Sequence, residues 1–422
     1  VSISLFESST MIIFLLLTIL GGFPCEGQVS YNNYRLYKVL VPNESSFYMM
    51  RSKETEKMFK TWGHPKRNSN LNVLIAPEKV EEFMTFCNSS NLNSEMMMDD
   101  VQKYIDNQNP QGDLQSTFDW QRYHRLDVIY QWLDSLVEQN PKILKSIIGG
   151  KTYEGRSIKG VKLSFKKGNP GIFIESGIHA REWIAPATST FILNELIYSE
   201  DSRVRYMAES YDWYIFPVLN PDGYEYTHTT DRLWRKSRQP YTNECVGADL
   251  NRNWGFHWGE GGADPDPCGE TFPGSRAFSE IETKTISEYI DSIQDKIFSY
   301  LSFHSFSQFI LLPYGYTNFT RVENYDDLLK IGNYSAKALS KRYGTNYTVG
   351  NIVDLLYIAS GSSLDWVRGT HNIPITYGYE LRDEGQYGFL LPADQIIPTG
   401  EETLDSLVAM FQKRAILFPL GL

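Results

Sequence analysis

Residues 171–190 read GIFIESGIHAREWIAPATST. Gly171–Glu175 is a short apolar run with polar residues at its end, the mark of a strand buried on both faces. WIAPATST continues with helical character, so the chain passes from a buried strand through a polar turn into a helix. Three further apolar runs repeat the strand signal at Trp213–Val218, Phe298–Phe303 and Ile375–Tyr379. Leu126, Ile129, Tyr130, Leu133, Leu136 and Val137 recur at helical spacing before Pro141. Ser279 with Glu282, and Thr399 with Glu402, read as capping boxes opening two more helices. This alternation, sustained to about residue 416, predicts an α/β fold: a mixed, largely parallel central sheet with helices on both faces. In such sheets the chemistry gathers at the carboxyl ends of the strands.

Upstream lies a smaller unit. Tyr34–Val41 and Asn72–Ala76 read as strands, and Lys53–Trp62 and Glu78–Phe86 as amphipathic helices. Asp106–Gln115, polar and holding Pro110 and Gly112, reads as an exposed connector, either a plain linker or a place where proteases cut.

The chain has 422 residues, with 40 Lys+Arg against 51 Asp+Glu and a formal charge of −11. That balance, with no basic run of five or more residues, argues against nucleic acid as a partner. A hydrophobic content of 41% and an aromatic content of 14% exclude a disordered chain. The apolar run Ile12–Phe23 is shorter than the ~20 residues a membrane-spanning helix needs, and no later run is longer. Met11–Gly27 therefore reads as a secretory signal, with Val1–Thr10 upstream of it, and the protein as extracellular. Cys25 would leave with the signal and Cys87 stands alone. Cys245 and Cys268, 23 residues apart, read either as a disulfide worth about 3 kcal/mol or as free thiols.

One cluster carries chemistry. His179 and Glu182, three residues apart in the turn after a buried strand, can face one ion, and His304 ends another strand. Two histidines and a carboxylate are the ligand set of open catalytic zinc sites. A His-x-x-Glu alone is more often structural; the second strand-end histidine is what favours the metal. Asp249 reads as the acceptor behind a ligand histidine, or equally as a turn or cap aspartate. Glu380 follows the run ITYGY as a general base or a solvated strand-end glutamate. Arg252, after Asn251, suits bidentate capture of a carboxylate, and Arg235 reads as a site cation or a surface one.

At these residues the chain resembles the secreted zinc carboxypeptidases of the A/B family. The motifs GIHAREW (177–183), LWRKSR (233–238), GADLNRNW (247–254), SFHSFSQ (302–308), PYGY (313–316), ASGSSLDW (359–366) and YELRD (379–383) stand in family order. The resemblance implies one Zn2+ per chain on His179, Glu182 and His304. It makes Glu380 the catalytic glutamate, and Arg235 the residue that polarises the scissile carbonyl. Asn251, Arg252 and Tyr357 would hold the substrate's terminal carboxylate, with Tyr357 on a loop closing over it. Arg181 matches an auxiliary subsite arginine, Asp249 the partner of the first histidine, and Cys245–Cys268 a family disulfide.

The resemblance further implies residues 1–27 as leader, 28–112 as an open-sandwich α/β activation prodomain and 113–422 as the catalytic domain. The expected partners are peptides or proteins with a free C-terminus and an activating protease, with the enzyme a monomer and no membrane involved. Basic-specific relatives carry an aspartate where Leu364 stands. The other wall positions match Ile352, Gly315, Ala359, Ser362 and Gly378, which are small or apolar. Burying Lys or Arg there unpaired costs several kcal/mol, whereas an aromatic ring gains about 1.5–3 kcal/mol, so apolar or aromatic C-terminal residues are expected. Phe306 stands where the family often has tyrosine. From Tyr104 to Gln121 there is no Lys or Arg for a trypsin-like activator, which leaves Lys103, Arg122 or a protease of other specificity.

Overall fold

Strand Gly171–Ser176 is buried at every position and lies near the middle of an eight-stranded sheet. The computed structural model describes residues 27–62, 69–109 and 118–417. The signal segment to residue 26, with Cys25, and the connector from residue 110 onward lie outside the described residues. Across the sheet the strands run Thr348–Asn351, Phe309–Leu312, Ile375–Leu381, Ile297–Ser305, Gly171–Ser176, Asp212–Phe216, Ser157–Leu163 and Leu144–Lys151. The four inner strands from Ile375–Leu381 to Asp212–Phe216 are mutually parallel, and antiparallel pairs enter toward both edges. All four apolar runs of the sequence form these inner strands, because a strand covered on both faces has to be apolar throughout.

Helices cover both faces. Leu126–Gln139, Ile184–Tyr198, Tyr325–Tyr343 and Ile396–Leu417 pack over one core, which contains Leu133, Ile192, Leu339 and Met410. Ile281–Asp291 and Ser363–His371 cover the other, around Trp254, Ile286, Leu364 and Val367. Among the described residues no helix is long and apolar enough to cross a membrane.

Both capping boxes are corrected. The helix expected after Ser279 starts at Ile281 with Glu280 at its cap, and the Ser279 hydroxyl serves Asn253 and Glu280 instead. The last helix starts at Ile396, so Thr399 sits inside it and bonds back to the Gln395 carbonyl.

The N-terminal unit is an antiparallel sheet ordered Lys60–Thr61, Ser69–Ile75, Arg35–Val41 and Ser94–Met98, with helices Glu44–Thr55 and Val80–Ser89 packed on it. The helix expected over 53–62 ends at Thr55, and Lys60–Thr61 is a strand. Trp62 is apolar for another reason: it packs on Phe389 of the large unit, ring centroids 5.4 Å apart. The connector expected from Asp106 begins later, because Val101–Gln108 is a helix.

This unit lies against the large sheet's carboxyl-end rim. Leu36, Trp62, Leu74 and Met98 share one apolar cluster with Leu233, Phe389 and Leu390. Asn72 Nδ2 donates to the Gly385 carbonyl at 2.9 Å, and Tyr31 donates to Asp231 at 2.7 Å. Gln108 Nε2 donates to the carbonyls of Phe389 and Leu391, both at 3.1 Å.

Candidate active site

Gly177 ends the strand with φ +64°, a conformation that glycine adopts without a Cβ penalty. The turn this starts carries His179 and Glu182 to the rim before helix Ile184–Tyr198 begins. His304 is the penultimate residue of its strand and lies in register with Glu380 on the neighbouring parallel strand. Asp249 caps the short 3-10 turn Leu250–Arg252 by accepting from Asn251 N at 2.9 Å, so one turn delivers Asp249, Asn251 and Arg252.

Three side chains converge. His179 Nδ1 is 2.8 Å from Glu182 Oε1 and 3.1 Å from His304 Nδ1, which is itself 3.1 Å from Glu182 Oε2. All three residues are buried, and their ligand atoms lie within 4.8 Å of one another. Both histidines turn Nδ1 inward. Their Nε2 atoms face acceptors, Asp249 Oδ1 at 3.1 Å for His179 and Ser302 Oγ at 2.9 Å for His304. This fixes the tautomer a metal ligand needs, with Nε2 protonated and Nδ1 free to coordinate. The donor set, two imidazoles and one carboxylate, fits an open catalytic zinc site.

Charges are arranged around this centre. Asp249 Oδ2 accepts from Arg235 Nε at 3.1 Å and Nη2 at 2.9 Å, and Arg252 Nη1 is 4.0 Å away. Burial alone would raise the Asp249 carboxyl, but Arg235, Arg252 and His179 hold it well below the usual range. Burial likewise opposes ionisation of Glu182, and the two histidines outweigh it and hold this carboxyl low. Glu380 goes the other way. Burial, with help from Glu182, pushes it up against the pull of His304 and Arg235. A divalent cation between the ligands would add to that downward pull.

Arg252 Nη2 donates to the Tyr357 hydroxyl at 3.0 Å, and Arg235 Nη1 lies 3.7 Å from Glu182. Asn251 Oδ1 accepts from Ser363 N at 2.9 Å. Leu364 and Ile352 are 3% and 5% exposed. A Cβ on Gly378 would meet Leu364 Cδ1 at 2.8 Å, and one on Gly315 would meet Ile352 at 3.0 Å, so each glycine stands directly against one of these two apolar side chains.

A family described as "Zinc carboxypeptidase" matches residues 129–406, and "Carboxypeptidase activation peptide" matches residues 37–108. The chain belongs to the zinc carboxypeptidase family. It is a metallocarboxypeptidase, a hydrolase made with an activation peptide. A zinc carboxypeptidase of Simulium vittatum is 56% identical over 294 residues, 69% of this chain and 96% of that protein. Zinc carboxypeptidase A 1 of Drosophila melanogaster is 44% identical over 415 residues, covering 94% and 96%. The crystal structure of carboxypeptidase A from Helicoverpa armigera superposes with a TM-score of 0.83 at 30% identity, covering 92% and 99%.

The structure brings His179, Glu182, His304, Glu380, Arg235, Asp249, Asn251, Arg252 and Tyr357 together at the carboxyl-end rim. Arg181 lies at its edge, donating to Glu270 at 3.0 Å and to the Leu233 carbonyl at 3.2 Å, with its guanidinium 4.3 Å over Phe389. Phe306 packs on the same Phe389 ring. Cys245 and Cys268 are bonded, and Cys87 is buried and free.

Three residues escaped the sequence reading. Glu270 pairs with Arg181. Arg232 is buried and donates to Gln108 of the activation peptide and to the Arg181 and Phe389 carbonyls. Glu175 is fully buried behind Ser302. Only Glu175 left a signal, a charged residue inside an otherwise apolar strand.

Proposed function

We propose that this zinc carboxypeptidase is a secreted, monomeric enzyme that removes apolar or aromatic residues from the C-termini of peptides. The observation that carries the specificity is the apolar character of Leu364, Ile352, Gly315 and Gly378, while the neighbouring acid, Asp365, is taken up by the N–H groups of Gly315 and Tyr316. An aromatic ring buried there gains about 1.5–3 kcal/mol, while an unpaired charge costs more than it gains.

His179, Glu182 and His304 would hold one zinc ion, which supplies a Lewis acid for the scissile carbonyl and acidifies the attacking water. Glu380, in register with His304, takes the proton from that water and delivers it to the leaving amine. Arg235, held by Asp249, presents Nη1 toward the ligands, where it stabilises the carbonyl oxygen as negative charge develops. Arg252, Asn251 and Tyr357 bind the terminal carboxylate. Internal peptides lack that anion and leave a buried guanidinium without it, so they are rejected.

The prodomain over about 28–112 covers this rim, and the catalytic domain spans 113–422. The placement of the two basic residues beside the connector favours an activating protease of other than trypsin-like specificity. Arg122 is mostly buried beside Asp119, and Lys103 lies within the helix Val101–Gln108. Values of kcat/KM for matched blocked dipeptides ending in Phe and in Arg test the specificity after cleavage of the connector. Phe should exceed Arg by at least a hundredfold, and a preference for Arg overturns the pocket reading.

A further inference from the structure

Glu175 stands on the central strand, pointing to the same sheet face as its register partner Ser302, two residues before His304. It is 0% exposed, and among the described residues its hydrogen-bond partners are all hydroxyls. Its Oε1 accepts from Ser302 Oγ, from Ser363 Oγ at 3.3 Å and from Tyr300 at 3.4 Å, while Oε2 has no hydrogen-bond partner among the described residues. A buried carboxyl so placed carries a desolvation cost that apolar residues on this strand would avoid.

Two branches leave it. One runs through Ser302 Oγ to His304 Nε2 at 2.9 Å. With Nδ1 turned to the ligand cluster, Nε2 carries the proton and donates to Oγ, whose O–H goes on to Glu175; Asn251 Nδ2 also stands 3.5 Å from this Nε2. The other runs to Ser363, whose backbone N–H donates to Asn251 Oδ1 at 2.9 Å. His179 already has the carboxylate Asp249 directly behind it. His304 has its carboxyl one hydroxyl further back.

We propose that Glu175 is a positioning residue: through Ser302 it orients His304 for the metal, and through Ser363 it sets Asn251 for the substrate's terminal carboxylate. This rests on the zinc reading of the site. Groups behind a ligand histidine typically change metal affinity by about 10–100-fold when removed.

The branches can be cut separately. Zinc release from the loaded enzyme into excess chelator is followed with a colorimetric zinc indicator, alongside KM for a peptide with a free C-terminus. Thermal melting of each variant reports its folding. Ser302→Ala should speed zinc release by about 10–100-fold with little change in KM. Ser363→Ala should raise KM and leave zinc release unchanged. Glu175→Gln should do both, and adding Ser302→Ala to it should speed release no further, since coupled residues on one path are non-additive. If Glu175→Gln fails to fold, the split between zinc release in Ser302→Ala and KM in Ser363→Ala still decides the matter. Unchanged zinc release in folded Ser302→Ala, or multiplicative effects in the double variant, overturns the proposal alone. A wild-type chain that retains no zinc overturns the metal reading and this proposal with it.

Discussion

Arg252→Gln isolates recognition of the chain end. The guanidinium is almost wholly buried and donates from Nε to the Gly262 carbonyl at 3.1 Å, from Nη1 to the Asn251 carbonyl at 2.8 Å and from Nη2 to Tyr357 at 3.0 Å. A substrate carboxylate would take two charge-assisted hydrogen bonds in this neighbourhood, each worth about 1.5–3 kcal/mol. Losing both costs about 3–6 kcal/mol, and a glutamine amide restores one neutral bond of about 1 kcal/mol. The balance, about 2–5 kcal/mol, is roughly a 30- to 5,000-fold loss of kcat/KM at 1.36 kcal/mol per tenfold. The metal ligands should be spared, because Asp249 keeps both bonds from Arg235. The assay compares a peptide ending in a free Phe carboxylate with the same peptide as its C-terminal amide. The loss should fall on the acid and hardly touch the amide. Equal losses on both substrates would refute the reasoning, since they would mean that Arg252 acts on the reaction centre or on folding.

Other consequences follow from the same geometry. Glu282 is fully buried, and burial, with Glu280 and Asp222 adding to it, pushes its carboxyl up to about 8. The folded state therefore keeps a proton that the unfolded chain releases near pH 4.3, so its stability contribution is full below that pH and is lost as pH rises through 8. Thermal melting of Glu282→Gln, which keeps an acceptor for Tyr153 N–H, should match wild type near pH 4 and exceed it near pH 8. Removing the Cys245–Cys268 bond, which spans 23 residues, should cost about 3 kcal/mol and lower the melting temperature by several degrees. Trp62 has partners in both units, so about half of the 3–5 kcal/mol typical of a buried aromatic deletion belongs to the docking surface. Basal activity of the uncut chain on a small substrate should rise roughly 10- to 70-fold in Trp62→Ala, and no rise would mean that the cover is held elsewhere.

Most of the catalytic unit was legible because its inner strands are covered on both faces and must be apolar throughout. The two histidines and Glu182 were legible because they stand at the ends of such strands, where topology leaves little choice of neighbour. The failures share a different cause, namely side chains whose partners lie far along the chain. Trp62 looked like part of a helical stripe, yet its apolar partner is Phe389, more than three hundred residues away. Ser279 resembled a cap, but its hydroxyl is taken by Asn253 and Glu280. Glu270 and Arg232 are unremarkable by spacing and gain meaning only from Arg181 and Gln108 beside them. Local pattern reports what a segment must bury; which distant group it buries against appears only in three dimensions.

On the proposed reading, His179, Glu182 and His304 hold the zinc on which removal of a C-terminal residue depends. The most direct test is Phe release from a blocked dipeptide by the connector-cleaved enzyme, measured with its metal, after chelation and after zinc is returned. Release should stop on chelation, return with about one zinc per chain, and never appear in His304→Ala. Release that persists in the metal-stripped enzyme, or in His304→Ala, would contradict that reading.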